Sequence, residues 1–382
     1  MALKLHNHAT IPSLDGLRAV SIAIVFFAHA HIGLPLPGGF GVTVFFFLSG
    51  FLITTLFFRE AEKAGSIDLK AFYIRRLLRL SPPLLATLAL TYGLVAAGVF
   101  IGELVPGAMA SQLFYFYNYY QVLVPDWNEG ARGLNVLWSL AVEEHFYLIF
   151  PALFLLFLRR RLTLGHMAGI LAGLLLWRIL RIGVFGTEAN TIYMSTDTRF
   201  DSILYGAMLA MMNARGLSRK IFPEGGAGRL LWLLGGAAVL LACFGLGGTF
   251  FRETFRYSLQ GLALMPVFHY AVSQPQLPLF RPLNWGWMRW LGFYSYSIYL
   301  IHTVLLANVE VWWQTVGLEG LPPIAMALAT GALCLGYAMA VYHLFERPVK
   351  RWPSNAPLLP PNIRQQLAAL PVPEVMLKAG AI

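Results

Sequence analysis

The sequence predicts an all-α, polytopic integral membrane protein of about ten transmembrane helices with both termini in the cytoplasm, and three observations carry that prediction. Of 382 residues, 58% are hydrophobic and only 12% charged, against roughly a quarter charged in an ordinary soluble domain. A water-soluble chain of this length needs far more polar surface, so the outer solvent is lipid. The second observation is recurrence: apolar runs near 14–33, 40–58, 82–101, 136–158, 166–183, 200–213, 229–248, 258–273, 289–308 and 322–346 approach the roughly 17–25 residues that a spanning helix needs. The third is charge. With the first span starting inside, 22 of the 28 Lys and Arg fall in inside segments and 6 outside, as the positive-inside bias requires. The formal net charge of +10 therefore belongs to topology, and nucleic acid is not an expected partner.

Taken in order, residues 1–13 contain no small-residue cleavage site, so no removable signal peptide is expected. The first span carries Asp15, Arg18 and His29, and the second is a run of Phe and Leu broken by Ser49 and Gly50. A basic stretch, Phe72 to Leu80, precedes the third span, which is expected to open at Pro82-Pro83. The outside segment 102–135 is rich in Tyr and Phe and is expected to lie along the interface. Its rings serve either an interfacial belt or stacking on sugar faces. The sixth and eighth spans are short, and the tenth closes at Glu346-Arg347-Pro348. Beyond it, prolines from Pro353 to Pro373 read as a poorly ordered cytoplasmic tail, giving a membrane domain 1–351 and a tail 352–382. Cys243 and Cys334 form no zinc or disulfide pattern and read as core filler.

Ionisable groups at membrane depth cost several kcal/mol and persist where they face a bundle interior or a wet cavity. Arg18 and His29 lie 11 positions apart, which on a helix is three turns plus about 20°, so they share a face about 16 Å apart. His31 points about 200° away from His29, so no metal pair is expected. A neutral His29 serves either as a proton acceptor for a hydroxyl or as a hydrogen bond to a neighbouring helix. In the fourth span Ser139, Glu143 and Tyr147 share a face, while Glu144 and His145 turn elsewhere. Glu143 is open to structural pairing with an Arg or to catalysis. Arg75, Arg76 and Arg79 suit phosphates, from a cosubstrate or from lipid headgroups. Arg199 and Asp201 open the sixth span, where an acid serves equally as a cap, and His302 sits deep in the ninth.

These segments resemble the acyltransferase family three proteins, membrane enzymes that O-acylate carbohydrates and some secondary metabolites. The resemblance rests on Leu14-Asp15-Gly16-Leu17-Arg18-Ala19 followed by His29, on the run from Gly41 to Ile53, and on Phe72-Tyr73-Ile74-Arg75-Arg76 with Arg79 and Pro82. It continues through Trp138-Ser139-Leu140-Ala141-Val142-Glu143-Glu144, Arg199 with Asp201, Ser297 to His302, and Phe345-Glu346-Arg347-Pro348, in order from residue 11 to about 351. Many relatives carry Asp where this chain has Thr43, and often Gln where it has His145. The resemblance implies ten helices in the bacterial inner membrane, His29 as the catalytic base and an Arg76/Arg79 pair that binds an acyl-coenzyme A, typically acetyl-CoA, as cosubstrate with no bound cofactor. Arg18 orients the base or neutralises donor charge, Arg75 joins the donor arginines, and Glu143, Trp138, Arg199, Asp201 and His302 shape catalysis and the acceptor pocket. Some relatives append an esterase-like domain, for which 382 residues leave no expected room.

A transporter or flippase of a glycan or metabolite is the rival class, against which stands the absence of a visible inverted repeat. A second rival is the membrane-bound O-acyltransferase class, which also depends on a buried His. Nothing in these residues separates lipopolysaccharide, exopolysaccharide, peptidoglycan, a lipid-linked sugar or a macrolide as acceptor.

Overall fold

The computed structural model describes residues 11–124, 128 and 130–349; the extreme N-terminus, most of Pro125–Glu129 and the whole expected tail 352–382 lie outside it. Among the described residues there are helices and connections but no strand. α1 (Leu14–His29) and α2 (Gly38–Ala64) lead to α3 (Leu69–Ala96), and two short helices, α4 (Pro106–Leu113) and α5 (Tyr117–Leu123), precede α6 (Trp138–Leu158) and α7 (Leu164–Gly183). A short α8 (Ala189–Met194), α9 (Thr196–Ala214) and α10 (Ser218–Ile221) follow, then α11 (Gly226–Gly245), α12 (Thr249–Glu253), α13 (Phe255–Ser273), α14 (Gly286–Thr315) and α15 (Pro323–Val341). A helix stands at each of the ten expected spans. Seven of these regions are long and apolar enough to cross a bilayer: α2, α3, Leu134–Leu158, α7, α11, α14 and Pro323–Val349. α1 has 16 residues, about 24 Å, short of a 30 Å hydrocarbon core. α9 and α13 are not among these seven, and their Arg199, Asp201, Gln260 and His269 side chains are buried in protein.

One boundary differs from expectation for a physical reason. α3 does not open at Pro82-Pro83 but thirteen residues earlier, where the Asp68 side chain accepts a hydrogen bond from Ala71 N at 2.9 Å and caps the helix. The prolines stand mid-helix, where they remove two backbone donors that neighbouring helices compensate in a bundle. Arg75, Arg76 and Arg79 therefore sit on a helix rather than in a connection. Segment 102–135 turns at Tyr115, which holds φ 59°, and α5 packs against α6. The Tyr115 hydroxyl meets Ser81 of α3, Tyr92 donates to Gln112 at 2.9 Å, and Leu113, Phe114 and Phe116 face outward.

α2 crosses α9 in close backbone contact. A Cβ at Gly50 would fall on the Ile203 carbonyl oxygen, and one at Gly206 on that of Phe47, so each helix is grooved for the other's backbone. The same device presses α1 on α14, where Gly292 meets the Asp15 carbonyl. That contact sets Arg18 and His29 of α1 beside the polar face of α14.

Candidate active site

A cavity of about 100 Å³ lies between α1, α2, α3, α6 and α14. Its polar wall comprises Arg18, Arg76, Arg79, Ser49, Glu143 and Tyr147, while Val42, Phe45, Leu48 and Leu52 form an apolar wall and Tyr296 and Tyr299 close the α14 side. Arg76 and Arg79 of α3 both line the cavity, whereas Arg75, although only about 40° from Arg79 around the helix, is drawn to Glu60 at 3.0 Å. Only two of the three expected donor arginines thus line the cavity. Arg18 enters from α1, held by Asp15 at 3.0 Å.

The α6 wall follows the i, i+4, i+8 face read from the sequence. Ser139, Glu143 and Tyr147 all line the cavity. Ser49 donates to Glu143 at 2.9 Å and lies 3.0 Å from the Tyr147 hydroxyl, and the Arg76 guanidinium stacks over the Tyr147 ring at 5.2 Å. Glu143 and Glu144 oppose Arg76, and Glu346 opposes Arg79, so the positive cluster is partly balanced. Ser49, Tyr147 and Glu346 were not singled out as site residues. Ser49 was discernible as a hydroxyl inside an otherwise apolar run; the approach of Glu346, which accepts from Ser297 at 3.3 Å, depends on a π-helical turn over Tyr342–Glu346 that no periodicity reports.

His29 stands at the far end of α1 from Arg18, partly exposed. Its Nδ1 lies 2.9 Å from the Val25 carbonyl and 3.2 Å from His302 Nε2. His302 is 0% exposed and its Nδ1 lies 2.7 Å from the Tyr299 carbonyl. The Tyr299 hydroxyl in turn meets Ser139 at 2.7 Å, which links the histidine pair to the cavity rim. His302 faces His29, and neither imidazole is part of the cavity wall.

Three further expected site residues meet protein partners in the structure. Asp201 is fully buried and paired with Arg178 at 2.7 Å. Arg178 also donates to the Thr198 and Thr254 carbonyls and to Ser258, so the pair joins α7, α9 and α13. Arg199 is also 0% exposed, enclosed by the rings of Tyr257, Tyr193, Phe46 and Trp138 at 4.0–5.6 Å. Its Nη2 donates to Thr43 at 3.1 Å, and its Nε and Nη1 meet no partner among the described residues. Trp138 belongs to that cage rather than to the cavity wall. His145 turns away from Glu143, as expected, and bonds Thr196 at 2.7 Å.

A membrane helix bundle with a basic, carboxylate-bearing cavity on one side of a histidine pair defines the class, and comparison places the chain within it. The acyltransferase domain of acyltransferase family three matches residues 11–343, and the chain belongs to that family. It is 34% identical to the peptidoglycan O-acetyltransferase OatA of Listeria monocytogenes over 78% of this chain and 49% of that protein. It is 29% identical to the putative peptidoglycan O-acetyltransferase YrhL of Bacillus subtilis, over 91% of this chain and 56% of that protein. Against the O-acetyltransferase OatA of Staphylococcus aureus the identity is 29%, over 99% of this chain and 64% of that protein. The chain thus spans between about half and two-thirds of these relatives. No solved structure matches.

Proposed function

We propose that the protein is a membrane O-acyltransferase that moves an acyl group, acetyl first among candidates, from a cytoplasmic acyl-CoA to a hydroxyl of a glycan presented from the outer side of the bacterial inner membrane. The observation that carries this reading is the pairing of the Arg18, Arg76 and Arg79 cavity with a partly exposed imidazole on the same helix as Arg18. Family membership favours acyl transfer over transport, and the relatives named as peptidoglycan O-acetyltransferases favour peptidoglycan as the glycan. Ten spans with both termini inside put the arginine end of α1 toward the cytoplasm.

In this account Arg76 and Arg79 hold the phosphates of the donor through guanidinium forks, and Arg18 neutralises further donor charge. Glu143, fixed by Ser49, balances part of the charge of Arg76. His29 takes the proton of the acceptor hydroxyl as its oxygen forms a bond to the thioester carbonyl carbon. The tetrahedral intermediate collapses, the C–S bond breaks, and the CoA thiolate leaves as the thiol, the proton held by His29 closing the balance. Arg199, in its aromatic cage beside Trp138, contributes positive potential from behind the Phe46 wall rather than a direct contact.

The test uses the full chain in lipid nanodiscs with acetyl-CoA and a soluble peptidoglycan oligosaccharide, reading ester-linked acetyl by mass spectrometry. The account expects acetylated oligosaccharide and stoichiometric free CoA. Oligosaccharide that stays unmodified with acetyl-CoA, longer acyl-CoA and every glycan class tried contradicts it.

A further inference from the structure

We infer that His302 is a positioning residue that fixes the tautomer and orientation of His29, an inference that rests on the base role proposed for His29. The argument is one of donors and acceptors. A carbonyl oxygen only accepts, so His302 Nδ1, 2.7 Å from the Tyr299 carbonyl, carries the hydrogen, and a neutral His302 has its lone pair on Nε2. His29 Nδ1 lies 2.9 Å from the Val25 carbonyl and 3.2 Å from that Nε2. Both neighbours are acceptors, so His29 Nδ1 carries a hydrogen shared between them. The remaining nitrogen, His29 Nε2, is left with the lone pair, which is the form a general base needs.

The residues come from opposite ends of the chain, 273 positions apart, and the α1–α14 crossing that joins them depends on Gly292 at the Asp15 carbonyl. His302 is itself rigid. It is 0% exposed, packed 5.4 Å from the Tyr299 ring and 6.5 Å from Phe26, and Tyr299 is tied to Ser139 and to the Val136 carbonyl. This arrangement is a carboxylate-free counterpart of the familiar base–orienter pair: a neutral imidazole holds the N–H that an acid holds elsewhere. When His29 takes the acceptor proton at Nε2, its Nδ1–H stays between the same two acceptors, so no side chain must reorganise.

The test compares His302→Leu, which fills the volume without an acceptor, with His302→Gln, which sets an amide oxygen near the place of Nε2, each alone and on a His29→Ala background. Transfer from acetyl-CoA to a peptidoglycan oligosaccharide is measured alongside thermal stability. Because the Val25 carbonyl still holds His29 Nδ1, the expected loss in His302→Leu is about 10- to 100-fold in kcat, smaller than the ~10⁴-fold seen when an orienting acid is lost outright. KM for both substrates stays within about threefold, and His302→Gln recovers most of the loss. On the His29→Ala background, His302→Leu changes nothing further. Equal impairment of the Leu and Gln variants, a fall in kcat that follows thermal stability, or additional loss on the His29→Ala background overturns the inference. A His29→Ala enzyme of full activity removes the base assignment itself, whatever the His302 variants do.

Discussion

Asp201→Ala removes one half of an ion pair whose side chains are both 0% exposed and 2.7 Å apart. At that separation, with an effective dielectric of about 20, the attraction is ~6 kcal/mol. Desolvation offsets much of it, and breaking one partner of a buried pair costs about 3–5 kcal/mol because the surviving charge stays buried. Arg178 keeps neutral acceptors at the Thr198 and Thr254 carbonyls and at Ser258, which places the expected loss near 3 kcal/mol, at the lower end. The assay is equilibrium unfolding of the purified full chain in mixed SDS micelles. Removing both charges with Arg178→Met and Asp201→Leu should restore most of the stability, since packed apolar side chains replace a buried pair at little cost. An Asp201→Ala protein as stable as the wild type, with a raised acceptor KM instead, refutes the strut and returns Asp201 to the acceptor pocket.

Three further outcomes follow from the same geometry. Gly206→Ala places a methyl group on the Phe47 carbonyl, so α2 and α9 must part, and unfolding in mixed micelles should show a loss of about 1–3 kcal/mol. Arg76→Ala or Arg79→Ala should raise the acyl-CoA KM about tenfold or more while leaving the acceptor KM nearly unchanged, each lost guanidinium–phosphate contact being worth about 1.5–3 kcal/mol; titration of both substrates in nanodiscs measures the difference. Arg75→Ala, whose partner is Glu60 rather than the cavity, should leave the acyl-CoA KM within about twofold, and a loss equal to that of Arg76→Ala would show the cavity assignment to be wrong.

Periodicity made much of the scaffold legible. Apolar runs located the ten long helices among the described residues, and the i, i+4 rule put Ser139, Glu143 and Tyr147 on the wall they occupy. Local rules misled where tertiary context overrides them. Pro82 and Pro83 looked like a helix start because proline is costly within an isolated helix, yet in a bundle α3 runs through them. In the aromatic segment the composition gave no sign that Gln112, Asn118 and Tyr117 are buried, because the partners of Gln112 and Asn118 lie far along the chain. Arg199 and Asp201, two residues apart, invited a shared role, but on a helix they point about 200° apart. One faces an aromatic cage and the other faces Arg178. The His29–His302 contact joins distant positions and leaves no periodic trace.

The central claim, that the imidazole of His29 accepts the acceptor's proton, is tested most directly by His29→Ala in membranes holding equal amounts of folded protein. Initial rates of acetyl transfer from acetyl-CoA to peptidoglycan oligosaccharide should fall about 10²- to 10⁴-fold, with acetyl-CoA binding retained. Transfer within a few-fold of the wild-type rate would contradict the account.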